Sequence, residues 1–187
     1  LTVVQNIRKR IISLGGTVRF STQVTDLELE GDRLTALVTE SGEKIPCSRA
    51  VLAIGHSARD TFEMLQARCV PMEPKPFSMG VRIEHRQEMV NRAQYGIDQP
   101  ALPPADYKLV KHLDENTVYT FCMCPGGYVV AAASEEGGVV TNGMSYADRA
   151  GENANAALLV TLNPQVFPYP GALGGMYWQR EIEQRAY

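Results

Sequence analysis

Among its 187 residues the chain has only four cysteines, three histidines and one tryptophan. Cys47, Cys69, Cys122 and Cys124 are too few and too unevenly placed for a disulfide framework in a chain this long. No paired C-x-x-C sites occur, and His56, His85 and His112 lie far apart, so no metal-ligand spacing is present and no metal is expected. No apolar run approaches the length of a bilayer span, which argues against a membrane partner. Basic and acidic residues number 18 and 21, for a net charge of −3. With no block of like charge, nucleic acid is not an expected partner. A phosphate-binding G-x-x-x-x-G-K-[ST] loop and a G-x-S-x-G nucleophile elbow are also missing, which leaves phosphoryl transfer and hydrolysis unsupported. Repeats and low-complexity tracts are absent. The chain opens at Leu1 with neither the basic region nor the apolar stretch of a secretory leader. These features predict a section of a longer protein from a reducing cytoplasm.

What remains is a normal core composition, 44% hydrophobic and 21% charged, enough for one large domain or two small ones. Val3, Val4, Ile7, Ile11 and Leu14 recur at helical spacing and predict a helix over 1–14, stopped by Gly15-Gly16. Thr17 to Phe20 reads as a short strand. Residues 23–46 read as an antiparallel meander, with Leu27 and Leu29 alternating against polar neighbours, then Leu34, Ala36 and Val38. Its turns fall at Gly31-Asp32 and Ser41-Gly42. Ala50 to Ile54 is apolar at every position, the pattern of a strand covered on both faces, and ends at Gly55. Ser57 and Asp60 suit the start of a following helix with Phe62, Met64 and Leu65 on its buried side.

Pro71, Pro74 and Pro76 mark a crossing into a second part. There Met79 to Glu84, Tyr107 to Leu113, Thr117 to Cys124, Tyr128 to Ala133, Val139 to Asn142 and Ala156 to Leu162 read as strands. Gln87 to Gln94 and 175–187 read as helices, and Gln99 to Asp106 as a proline-rich loop. The fold class is therefore α+β, with domains at 1–70 and 71–187.

A buried strand ending in glycine before a helix lets backbone N–H groups approach a phosphate or a ring. His56 then stands where it could touch a phosphate or donate a proton, although a plain helix-start histidine fits equally. Cys122 and Cys124, two apart on one strand, would face the same side. A redox pair is conceivable there, yet a one-residue gap strains a disulfide within a strand, and packing of two small side chains is the plainer reading. Arg82 could hold a substrate carboxylate with parallel hydrogen bonds, or stand as an exposed strand residue beside Glu84. Ser145 to Arg149 is a polar loop, either ligand-touching or a solvated turn.

The order of helix, Gly15-Gly16-Thr17-Val18-Arg19-Phe20-Ser21-Thr22-Gln23-Val24, meander and Val51 to Gly55 resembles the middle of FAD-dependent oxidoreductases with a glutathione-reductase-like FAD domain. It is most similar to bacterial uncharacterised FAD-dependent dehydrogenases. Pro76 to Glu84 and Phe121 to Val130 share that likeness, which covers nearly the whole chain. The resemblance implies FAD as cofactor, with backbone near Val24 meeting the adenine and Ile54, Gly55, His56 and Ser57 lying near the ADP part. The residues themselves supply the catalytic candidates Cys122, Cys124 and His56 and the substrate-contact candidates Arg82, Gly126 and Gly127. The resemblance also implies hydride transfer between flavin and a small-molecule substrate or NAD(P)H. The family's amino-terminal Gly-x-Gly-x-x-Gly turn and its closing flavin segment are not found, and Gly171 to Gly175 has the wrong spacing. A partial FAD domain followed by an inserted substrate-side domain is thus expected, inactive alone and holding FAD weakly or not at all. A homodimer through exposed apolar surface is a further expectation. The rival reading is a non-catalytic interaction or ligand-binding module without flavin.

Overall fold

The computed structural model describes residues 1–96, 101–114 and 116–187. The turn expected at Asp114-Glu115-Asn116 and the loop from Gln99 thus lie partly outside the described residues. The fold is α+β, and every strand pairing is antiparallel. The chain divides into two compact units, Leu1–Pro71 and Met72–Tyr187.

In the first unit, α1 (Thr2–Ser13) ends as its sequence dictates. Gly15 takes φ +84°, its N–H donates to the Ile12 carbonyl at 3.0 Å, and that of Gly16 donates to Ile11 at 3.0 Å. This is the paired closure that only a left-handed residue after the helix allows. Next come β1 (Val24–Glu30), β2 (Arg33–Thr39) and β3 (Lys44–Pro46), a three-stranded meander in sequential order. Gly31, at φ +59°, supplies the positive dihedral of the first hairpin, whose flanking pair is Glu30 and Arg33. Helix α2 (Arg59–Ala67) is bound to β1 by Gln23 Nε2 donating to Asp60 at 3.1 Å and by Arg68 Nε donating to Asp26 at 2.6 Å.

Three expectations for this unit are corrected. Thr17 to Phe20 joins no strand; Phe20 is exposed and lies under the Arg8 guanidinium, 5.7 Å from ring centroid to Cζ. Ala50 to Ile54 is not a buried strand either: it pairs with no described strand, and Val51 is 92% exposed. β-propensity and hydrophobicity mark a segment that suits a sheet, but a strand forms only where a neighbour accepts its backbone hydrogen bonds. Ser57 does not cap α2. The cap position is Ala58, and the Ser57 hydroxyl lies 3.0 Å from His56 Nδ1, while Asp60 does occupy the first turn.

The second unit is built on a sheet of four strands in the order β4 (Phe77–Arg86), β9 (Asn153–Leu162), β6 (Thr117–Cys124), β5 (Val110–His112). β4 and β9 pair without a break from Phe77–Leu162 to Arg86–Asn153. A hairpin of β7 (Gly127–Ala131) and β8 (Thr141–Ser145) forms a separate two-stranded ribbon. Helix α3 (Gln87–Tyr95) follows β4 directly, ends at left-handed Gly96, and buries Val90 against Ala105 and Ala154, with Tyr95, Tyr107 and Met123 around them. Helix α4 (Gly174–Arg185) closes the chain, with Trp178 against Phe167 and Phe167 against Phe77. The strand expected from Tyr107 shrinks to β5, and that expected at Val139 begins instead at Thr141. In each case the ladder runs only where a partner lies opposite: Val110 faces Tyr119 and Thr141 faces Ala131. No helix among the described residues is long and apolar enough to cross a membrane.

Candidate functional site

Polar side chains converge where β4, β6, β8 and β9 meet. Asn155, at 0% exposure, stands on central β9 and accepts Nη1 of Arg82 from β4 at 2.7 Å. The same Nη1 donates to the Cys122 carbonyl at 3.3 Å. Gly143 on β8 makes this meeting possible. A Cβ there would stand 2.3 Å from Arg82 Nη1 and from Asn155 Oδ1, and 2.8 Å from Cys124 Sγ. Arg82 is thus neither an exposed strand residue nor paired with Glu84, which instead accepts from Asn153 Nδ2. Arg82 Nε and Asn155 Nδ2 are buried donors without an acceptor among the described residues, so the cluster can take a ligand that presents oxygens.

Beside it lies a cavity of about 390 Å³, lined by Gly80, Arg82, Val129, Thr141, Leu159 and Ile182 among others. The size is within the range of small-molecule sites, about 300–1,000 Å³. Its wall is mostly apolar, and its polar residues are Ser78, Arg82, Thr141, Gln179 and Glu183.

The thiols are not the equivalent pair that regular strand geometry predicts. The β6–β9 register slips between Phe121–Ala157 and Cys124–Asn155, which puts one extra residue in β6. Cys122 stands in this bulge at φ +48°, exposed, while Cys124 is buried. The Cys124 thiol donates to the Cys122 carbonyl at 3.4 Å. Burial first, then the neighbouring Cys122 sulfur, pushes the Cys124 thiol pKa up, opposed by Arg82 and by a hydrogen bond from Ser145.

The Pro125-Gly126-Gly127 turn is clamped from below. Gln87 Oε1 accepts the Gly126 N–H at 2.8 Å, and Gln87 Nε2 donates to the Ala105 carbonyl at 2.8 Å and to Asn91 at 2.9 Å. Ser145 Oγ donates to the Pro125 carbonyl at 2.9 Å. Gly126 and Gly127 are buried, and a Cβ on Gly126 would meet the Arg149 carbonyl oxygen at 1.8 Å. Their small size serves close backbone packing, and the Gly126 N–H is already committed to Gln87.

In the first unit, Val24 opens β1 opposite Thr39 and is half-buried. Ile54, Gly55 and His56 lie on the exposed segment before α2, Gly55 at φ +72° with open space where a side chain would stand. The two hydrogen-bonded links between α2 and β1 hold the element after this segment against the strand that Val24 begins.

Reasoning from sequence missed Asn155, Gly143, Gln87 and Asn91. Asn155 was legible in the period-two alternation Asn153-Ala154-Asn155-Ala156, which puts both amides on one strand face. The others gave no motif: Gln87 reaches Ala105 and Gly126, 18 and 39 residues away, Asn91 accepts from the Ala105 N–H, 14 residues away, and Gly143 faces side chains of other strands.

Residues 76–187 match the family model described as "FAD-dependent protein, C-terminal domain-like". Over 189 aligned positions the chain is also 49% identical to an uncharacterized protein of Clostridium beijerinckii, with 99% of this chain covered. The chain spans 35% of that relative's length. With the match covering the sheet, the cavity and the Arg82–Asn155 cluster, the chain belongs to the family of FAD-dependent proteins through their C-terminal domain.

Proposed function

We propose that the chain is part of an FAD-dependent oxidoreductase, a dehydrogenase, in which residues 72–187 supply the substrate side. FAD, when bound, would take up hydride from a reduced small-molecule substrate or from NAD(P)H. The observation that carries this reading is the family match over 76–187. The structure's own residues suit such a role. Arg82 Nε and Asn155 Nδ2, buried without acceptors, fit the oxygens of a flavin ring edge or a substrate carboxylate. Arg82 would bind and orient the anionic end of a substrate whose apolar body fills the cavity beside it. Val24, Ile54, Gly55, His56 and Ser57 would lie along the adenine and diphosphate parts of FAD, where exposed backbone at Gly55 leaves room for close approach. His56 and the thiols of Cys122 and Cys124 are the candidate proton and redox groups.

The test is the colour of the full-length protein. It should purify yellow, with flavin absorbance bands that substrate or NAD(P)H bleaches. A colourless protein that added FAD cannot reconstitute overturns the reading. The 187-residue chain alone should bind FAD weakly or not at all in isothermal titration, and micromolar affinity would contradict its role as a partial cofactor site.

A further inference from the structure

We propose that the cavity of the second unit binds a neutral α-amino acid with an aliphatic side chain, its carboxylate on Arg82 and its ammonium on Glu183. The inference rests on the proposed function in one respect, that residues 72–187 face the substrate, and it adds the chemical class of that substrate.

The hollow follows from which residues share a face. Gly80 and Arg82 lie on one face of β4, and Leu159 and Ala157 stand opposite them on β9. Glycine and alanine beside Arg82 leave that face of the sheet low, and these residues line the cavity of about 390 Å³. Helix α4 supplies a second wall. Its Gln179, Ile182 and Glu183 recur at the spacing of one helix face, and all three line the same cavity.

Arg82 and Glu183 thus stand on different elements around one space. Arg82 donates Nη1 to Asn155 Oδ1 and to the Cys122 carbonyl, while its buried Nε has no acceptor among the described residues. A buried guanidinium N–H in that condition calls for an oxygen, and a carboxylate supplies one in the geometry the guanidinium prefers.

Charge then selects the rest of the ligand. A molecule that carries only an anion meets repulsion from the Glu183 carboxylate, and one that carries only a cation meets repulsion from Arg82. A molecule with both charges satisfies both walls. Val129, Val140, Leu159 and Ile182 make the remaining lining apolar, which suits an aliphatic side chain.

The experiment is isothermal titration of the full-length protein with L-leucine, L-valine and L-methionine. Each is set against the same molecule lacking the ammonium and the same molecule lacking the carboxylate. At least one of the amino acids should bind, and at least about tenfold more tightly than either of its analogues, the loss expected when one charge-assisted contact is removed. Glu183→Gln should abolish the advantage over the analogue that lacks the ammonium. Binding of none of the three, an analogue that binds as tightly as its parent, or an advantage that survives Glu183→Gln overturns the proposal. If Glu183→Gln fails to fold, the comparison of amino acid with analogues in the parent protein decides alone. Flavin colour is read on the same sample, so the two readings fail separately. A yellow protein that binds no amino acid overturns this inference alone. A colourless protein that binds one with the stated selectivity overturns the flavin reading and upholds the site.

Discussion

Arg82 Nη1 donates to Asn155 Oδ1 at 2.7 Å, tying edge strand β4 to central strand β9 across the sheet face that carries the cavity. The amide is fully buried, so its oxygen has no water to fall back on. The same bond orients the guanidinium, and with it the candidate anion-binding group.

Asn155→Leu, which keeps the volume and removes the acceptor, should destabilise the second unit by about 1–3 kcal/mol, the cost of leaving a buried donor unpaired. Adding Arg82→Met should recover part of that loss, because both polar partners are then gone. Urea denaturation of the two single variants and the double variant measures the coupling. Strictly additive effects would show that the bond is not the reason for the cost.

Gly126→Ala should be far more damaging than Gly31→Ala. Both glycines have positive φ, so each alanine meets the left-handed penalty of roughly 1–2 kcal/mol. Around Gly31 the space is open, whereas at Gly126 the new Cβ would stand 1.8 Å from the Arg149 carbonyl oxygen. Thermal unfolding of the two variants should separate the backbone penalty from the clash, and equal losses would refute the packing role of Gly126.

Asp26 makes the link from β1 to α2 pH-dependent. Hydrogen bonds from the Arg68 guanidinium, then from the Leu27 N–H, hold its pKa below the ordinary 3.8. A carboxylate lowered on folding contributes stability that is complete above its unfolded value and is lost as pH falls through the folded one. Acidification through and below 3.8 should therefore weaken the first unit more in the parent chain than in Asp26→Asn. Because the pair is exposed, added salt should shrink the difference. Parallel acid titrations followed by circular dichroism check both statements, and identical acid profiles would remove Asp26 from the account.

Helix α1 leaves Val3, Val4, Ile7, Ile11 and Leu14 exposed along its apolar stripe. A stripe of this kind favours association of the isolated chain, the homodimer suggested by the sequence. Ile7→Glu should change folding stability by no more than about 0.5 kcal/mol, as at other exposed positions, while shifting sedimentation equilibrium toward monomer. A chain that sediments as a monomer before any substitution would dispose of the homodimer.

Much of the architecture was written in local pattern. The glycine pair after α1, the Gly31-Asp32 turn of the meander, the span of β6 and the helix directly after Arg86 all follow from turn chemistry and from hydrophobic periods of two or 3.6 residues. The same patterns misread Ala50 to Ile54. Its hydrophobicity describes what the segment is suited to touch, while strand formation depends on a neighbour that sequence patterning does not supply.

The α+β class, most of the strands and helices and the FAD-family resemblance were thus properties of the linear chain, because each rests on residues close together or on motifs of contiguous residues. The site was not. Arg82, Cys124, Gly143 and Asn155 come from four strands and meet because β9 lies between β4 and β6 and because one extra residue in β6 turns Cys122 outward and Cys124 inward. Pairing partner and register are set by contacts distant in sequence, and a slip of a single residue exchanges which side chain faces the core, so those choices belong to the folded sheet.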